Sequence, residues 1–296
     1  MAILVGCGGG SADQLATPTG AGLVLGGGYP RHQDESTGLA VILGTPDLAV
    51  GTHRVAFVLS DANGLVRLPI VQVSSFGPQA REQPSQEATS RFYEFPLGIR
   101  GIYVSEFSFD RAGQWTFEVA VPTPSGDIAT ITFPVAIPED TESPAVGELA
   151  PASVSRTIAD VDDVANLTTG AEVDRALYEL TIADAVETGR PTMVVFASPG
   201  FCTNALCGPQ VEVMSELRTR YPAVANYIHV DLFENPVELR SGGLERAIRS
   251  PLFDEWGLRT DEWTFLLDAE GLVTHRFEAF VPIEELEPAL TSLLAD

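Results

Sequence analysis

The sequence predicts two domains, an all-β domain followed by an α/β domain. Three observations predict them. First, 296 residues leave room for two hydrophobic cores. Second, short alternating apolar runs with turn residues about every ten positions fill roughly residues 36–138. Third, from about residue 175 the period changes to alternating helix and strand.

In the first half, Leu39 to Leu43 and Arg54 to Leu59 read as strands, and Asp61-Ala62-Asn63-Gly64 as a tight turn into Leu65 to Phe76. Gly77 to Ser90 reads as a polar loop. Strands resume at Gly101 to Phe109, Gln114 to Val121 and Ile128 to Ile137, with Arg111-Ala112-Gly113 and Pro124-Ser125-Gly126 as turns. Seven or so strands at this spacing predict an immunoglobulin-like β-sandwich over 36–138. Tyr103 and Trp115 are its expected core aromatics. The run Gly101 to Trp115 resembles the strand–turn–strand of small extracytoplasmic sandwich domains in bacterial copper and respiratory accessory proteins. Copper binders of that kind use His and Met; here His53 stands alone, so the resemblance implies a fold and not a metal site.

Residues 139–174 carry nine acids and one arginine among Pro, Ser and Thr, and read as a solvated acidic linker. Asn166-Leu167-Thr168 matches a glycosylation sequon by chance. Beyond it, Arg175 to Thr188 reads as a helix and Thr192 to Ala197 as a buried strand. Pro209 to Arg220 is a helix with Pro at its first position. Asn226 to Leu232 is a strand, Leu244 to Trp256 a helix, and Trp263 to Asp268 a strand. Asp268-Ala269-Glu270-Gly271 turns into Leu272 to Glu278, and Pro282 to Leu294 closes as a helix.

Charge excludes some partners. The formal net charge is -24, and all 17 basic residues are arginine. Nucleic acid and anionic lipid both reward clustered positive charge, so neither is expected to be bound through a basic patch. With 45% hydrophobic residues the chain reads as globular. No segment is apolar for long enough to span a membrane as a helix.

Leu4-Val5-Gly6-Cys7 resembles the lipobox of bacterial lipoproteins, and Gly8 to Ser11 continues it as a tether within residues 1–35. The resemblance implies a lipid on Cys7 and a place on the extracytoplasmic face of a bacterial cell membrane, with the native start upstream of Met1. The same stretch imitates a dinucleotide-binding turn, but Pro18, Gly20, Gly22 and Gly26 to Gly28 follow where a helix is required.

The clearest chemistry lies in Phe201-Cys202-Thr203-Asn204-Ala205-Leu206-Cys207-Gly208-Pro209. A thiol between a buried strand and a helix start meets the positive end of the helix dipole, which favours thiolate. Positions five apart in a regular helix lie about 8 Å apart, so a Cys202–Cys207 bridge needs at least one of them in the loop. With Cys-Gly-Pro at this junction, residues 175–296 resemble the thioredoxin superfamily. Tyr227 to Asp231 fits its second core strand, Trp256-Gly257-Leu258 the lead into the third, and Asp268 to Gly271 the hairpin turn.

The resemblance implies a thiol–disulfide oxidoreductase acting on protein thiols or disulfides without a cofactor. Cys207 would be the nucleophile and Cys202 the resolving thiol, with Gly208, Pro209 and Trp263 shaping the site. Gln210 stands where a second motif cysteine is usual, Trp263 where a cis-proline is usual, and Val195 where a buried acid often sits. Those three departures fit an alternative, a non-catalytic surface binding protein with a structural disulfide. A peroxiredoxin-like peroxidase (Pro199, Thr203, Cys207) and a copper chaperone are further alternatives.

Overall fold

The computed structural model describes residues 28–80, 83–96, 98, 100–201 and 209–295. Nine strands among them build one sheet: β1 (Arg31–Gln33), β2 (Ala40–Leu43), β3 (Gly51–Asp61), β4 (Gly64–Leu65), β5 (Ile70–Phe76), β6 (Gln86–Glu94), β7 (Gly101–Phe109), β8 (Gly113–Pro122) and β9 (Ile128–Ile137). The strand order is β1-β2-β3-β7-β6-β5-β8-β9, with β4 paired to β3. The sheet curls on itself until its two ends meet. His32 of β1 stacks on Phe133 of β9 with ring centroids 5.3 Å apart, and the Val50 N–H donates to the Pro138 carbonyl at 3.0 Å.

Alternation turns one side chain in two toward the interior, as along β8, where Trp115, Phe117, Val119 and Val121 are buried. Phe107 meets Phe117 edge-on at 4.9 Å and Phe109 meets Trp115 at 5.1 Å, although β7 and β8 are not neighbours in the sheet. Side chains therefore fill this barrel.

The immunoglobulin-like sandwich expected for 36–138 is corrected by this topology. The polar stretch before Ser90 is no loop. Its second half is β6, hydrogen-bonded to β5 on one side and to β7 on the other. That strand joins two prospective sheets into a single barrel-like one.

The second sheet has four strands in the order β11-β10-β12-β13: β10 (Thr192–Ala197), β11 (Asn226–Asp231), β12 (Trp263–Leu267) and β13 (Val273–Glu278). Only β10 and β11 run parallel. Around them lie α1 (Ile182–Glu187), α2 (Gln210–Arg220), α3 (Pro236–Gly242), α4 (Pro251–Glu255) and α5 (Ile283–Leu293). Thr181 caps α1, its hydroxyl accepting from the Asp184 N–H, and so divides the single helix expected over 175–188.

The thioredoxin-like assignment is corrected too. Among the described residues of 175–296 the small mixed sheet is not an independent α/β domain, because it shares its core with the barrel. Ala56, Val58, Phe95 and Ile102 of the barrel belong to the same buried cluster as Met193, Val195, Leu266, Phe280 and Leu290. Phe95 meets Phe280 with ring centroids 4.4 Å apart. The chain is predominantly β, with a barrel-like sheet and a second small sheet.

Residues 139–174, expected as a solvated linker, form a strap on the second sheet. Ser143, Ser153, Ser155, Thr157, Leu167, Thr168 and Thr169 are buried. The strap runs beside β13, exchanging Gly147 N–H to Val273 O and Val273 N–H to Glu148 O, each at 2.8 Å. Ser153 then accepts from the Trp256 indole at 2.8 Å, and Ser155 from the Ile182 N–H at 3.1 Å. Thr168, the sequon threonine, is 2% exposed.

Candidate functional site

Two polar assemblies stand out against the apolar cores. The first bolts the barrel to the second sheet. Arg54 of β3 donates from Nε to Glu285 at 2.6 Å, and from its two Nη atoms to the carbonyls of Glu278 and Phe280, each at 2.9 Å. Asp47 accepts from Arg276 Nη2 at 2.6 Å and from the backbone N–H groups of Glu142 and Ser143. Glu278, fully enclosed, accepts from the Thr260 hydroxyl at 2.6 Å and the Asp47 N–H at 3.0 Å. Burial pushes its carboxyl up to about 8, with the Asp47 charge adding to the rise and Arg276 opposing it. A cleft of about 400 Å³ opens beside this bolt, with His53 and His275 in its walls. Burial lowers the pKa of both imidazoles.

The second assembly lies at the carboxyl ends of the parallel pair β10 and β11. Alternation along β11 puts His229 and Asp231 on one face. The His229 Nε2 atom lies 3.1 Å from the Ala197 carbonyl, which can only accept, so Nε2 carries the proton. Nδ1 then accepts from the Tyr178 hydroxyl at 2.5 Å. The imidazole is thus neutral, and burial drives its pKa down to about 4.

Asp231 is saturated. One oxygen accepts from the Thr169 N–H and hydroxyl at 2.6 and 2.8 Å, the other from the Phe233 N–H at 3.1 Å. Burial raises its carboxyl to about 6 despite these bonds. Thr169 in turn meets the Ser198 hydroxyl at 2.9 Å and accepts from the Gly200 N–H at 3.1 Å. Arg240 adds two hydrogen bonds, to the carbonyls of Thr168 and Ala165. These contacts pin the far end of the strap to the strand ends and, through Arg240, to α3.

Strap and strand ends enclose a cavity of about 210 Å³. Tyr178, His229 and Asp231 line its base; Val154, Arg156, Glu234, Pro251 and Leu252 line the rest together with buried Ser155 and Ser250.

Of the expected site residues, Cys7, Cys202, Cys207 and Gly208 lie outside the described residues. The thioredoxin-like term of the sequence reading is corrected by the topology above, while the expected Cys202–Cys207 pair lies outside the described residues, which include no cysteine. Pro209 stands at the N-cap of α2. Gln210 is 1% exposed and accepts from the Val281 N–H at 2.8 Å, fixing the start of that helix. Trp263 is a core residue: it is fully buried, stacked on Phe265 at 5.6 Å and overlain by the Arg276 guanidinium at 5.2 Å. Sequence reasoning missed Tyr178, Asp231 and Thr169. Only the Asp at the end of an apolar strand was a signal, since an acid there needs donors to be buried.

No family model matches the chain, and no curated protein matches it. Two solved structures do. A DUF4426 family protein from Pseudomonas aeruginosa PAO1 shares 12% identity at a TM-score of 0.28, over 38% of this chain and 97% of its own. MtrC from Shewanella baltica OS185 shares 10% identity at a TM-score of 0.23, over 79% of this chain and 51% of its own. Similarity at that level assigns neither a fold nor a function.

Proposed function

We propose that this chain is a non-catalytic binding protein, held on the extracytoplasmic face of a bacterial cell membrane by a lipid on Cys7. It takes a small ligand at the ends of β10 and β11. The observation that carries this reading is the 210 Å³ cavity itself, whose base is polar and whose mouth is apolar on the Val154, Pro251 and Leu252 side. Its base is already satisfied by internal hydrogen bonds, so it offers shape and polarity without a poised acid or base. Thiol–disulfide exchange is not carried into the proposal, because it rested on a thioredoxin-like domain that the sheet topology and shared core do not bear out.

The test is a thermal-shift screen of the full chain against small polar metabolites, repeated on Leu252→Trp, which fills the mouth. A hit that raises Tm in the wild type and not in the variant supports the reading. A screen without hits, or hits indifferent to Leu252→Trp, removes it. Incorporation of labelled fatty acid, absent in Cys7→Ser, tests the anchor.

A further inference from the structure

Resting on that binding reading, we infer that the ligand is a small zwitterion of the α-amino-acid class, its carboxylate taken by Arg156 and its ammonium by Glu234. Both residues line the strand-end cavity. Arg156 comes from the strap and Glu234 from the segment after β11. The guanidinium is oriented by one hydrogen bond, from Nη1 to the Glu234 main-chain carbonyl at 2.7 Å. The Glu234 carboxylate lies 3.8 Å from the same Nη1, near enough for attraction and too far for a hydrogen bond. Among the described residues that carboxylate accepts no hydrogen bond. The two side chains are 37% and 34% exposed, so solvent and solute reach them.

An opposed pair that stops short of closing presents one cationic and one anionic group at fixed spacing. A zwitterion satisfies both with complementary charge, and a guanidinium grips a carboxylate by two parallel N–H donors. Asp160 also attracts Arg156, but its carboxylate is held by the Thr157 N–H and hydroxyl, each at 2.8 Å, and the other two charges lining the cavity are spent. Asp231 spends its acceptors on Thr169 and Phe233, and His229 is neutral between Tyr178 and Ala197. The ligand's own side chain would then enter between Leu167, Phe233 and Leu252, toward the Tyr178 ring. A cavity of about 210 Å³ is smaller than the ~300–1,000 Å³ of drug-sized sites, which limits the occupant to one small molecule.

Calorimetric titration of the full chain with a panel of L-amino acids tests this, beside N-acetyl and C-terminal amide forms of each binder. Each modification removes one charge. Both should weaken binding at least tenfold. In Arg156→Gln the amide should bind as well as the acid, and in Glu234→Gln the N-acetyl form should bind as well as the free amine. Unchanged Tm and circular dichroism establish that both variants are folded. Binding indifferent to either charge, or unaltered in Arg156→Gln, overturns the inference. So do hits confined to non-zwitterions that Leu252→Trp abolishes, and that result leaves the binding reading standing. The absence of any Leu252→Trp-sensitive ligand overturns both.

Discussion

Asp47 of the barrel and Arg276 of the second sheet meet at 2.6 Å with side chains only 8% and 10% exposed. An ion pair so enclosed couples the two halves of the molecule, because either charge alone would be stranded in a medium that solvates it poorly. Asp47→Ala is therefore expected to cost roughly 3–5 kcal/mol. Replacing both residues by leucine should cost less than the single change. Urea denaturation of the three proteins reads this directly, and a single mutant within 1 kcal/mol of wild type, on the order of an exposed pair, would refute the coupling.

Glu278 sets an alkaline slope. Its carboxyl is protonated in the fold up to about pH 8 and ordinarily ionises near 4.5, so unfolding releases a proton between those values. Stability contributed by this group is complete below pH 4.5 and lost as pH rises to 8. Asp231, raised to about 6, adds the same sign between 3.8 and 6; His229, lowered to about 4, acts oppositely between 6.5 and 4. The clean window is pH 6.5–8, where the loss should reach about 2 kcal/mol at about 1.4 kcal/mol per unit. Chemical denaturation across that window, with Glu278→Gln as the flattened control, is the measurement.

The Tyr178 hydroxyl is the only described donor to the His229 Nδ1 atom. Tyr178→Phe leaves a buried acceptor without a partner and should destabilise by about 1–3 kcal/mol. The imidazole keeps its proton on Nε2, held there by Ala197, which long-range nitrogen–proton NMR of the ring can verify.

Two glycines separate steric from conformational cost. Gly189 and Gly257 share nearly the same φ, +64° and +65°, in the region that penalises a side chain. A Cβ on Gly189 meets open space, whereas one on Gly257 collides with the strap carbonyl of Glu142. Gly189→Ala should cost about 1 kcal/mol and Gly257→Ala about 3 kcal/mol or more. Equal Tm values for the two would deny the close approach of the strap.

A net charge of -24 makes the folded chain repel itself. Many arginines are also spent internally, Arg54 and Arg276 in the bolt and Arg240 on the strap. Salt at about 1 M, with a Debye length near 3 Å, should therefore raise Tm relative to low-salt buffer. A scan of Tm against sodium chloride checks the sign.

Elements with one strong period were legible in the sequence. Thr192 to Ala197, apolar from Met193 onward, is a strand with the expected bounds, and so are Gly101 to Phe109 and Ile128 to Ile137. The strand Gln86–Glu94 was not, because its inward positions include Ala88 and Ser90 and its outward ones Glu87, Thr89 and Arg91, a pattern that reads as loop. With it went the sheet continuity. The strap misled for a related reason: serine and threonine are the composition of a solvated linker, yet here they are buried with hydrogen bonds to strand ends and indole. The site was hidden because Asp231 lies 62 positions from Thr169 and His229 51 from Tyr178, and they meet only where the strap crosses the strand ends. Glu278 gave no warning, since an acid beside Arg276 and Phe277 reads as exposed.

The shared core has a consequence for how the chain reaches its native state on the ribosome. The barrel strands emerge first, yet Ala56, Val58, Phe95 and Ile102 find their cover only when Phe280, Val281 and Leu290 have been synthesised. Until then the nascent barrel carries a sticky outer wall. A gene truncated after residue 138 leaves that wall bare for good, and its product should aggregate or occupy chaperones. The natural unit for expression is the whole chain.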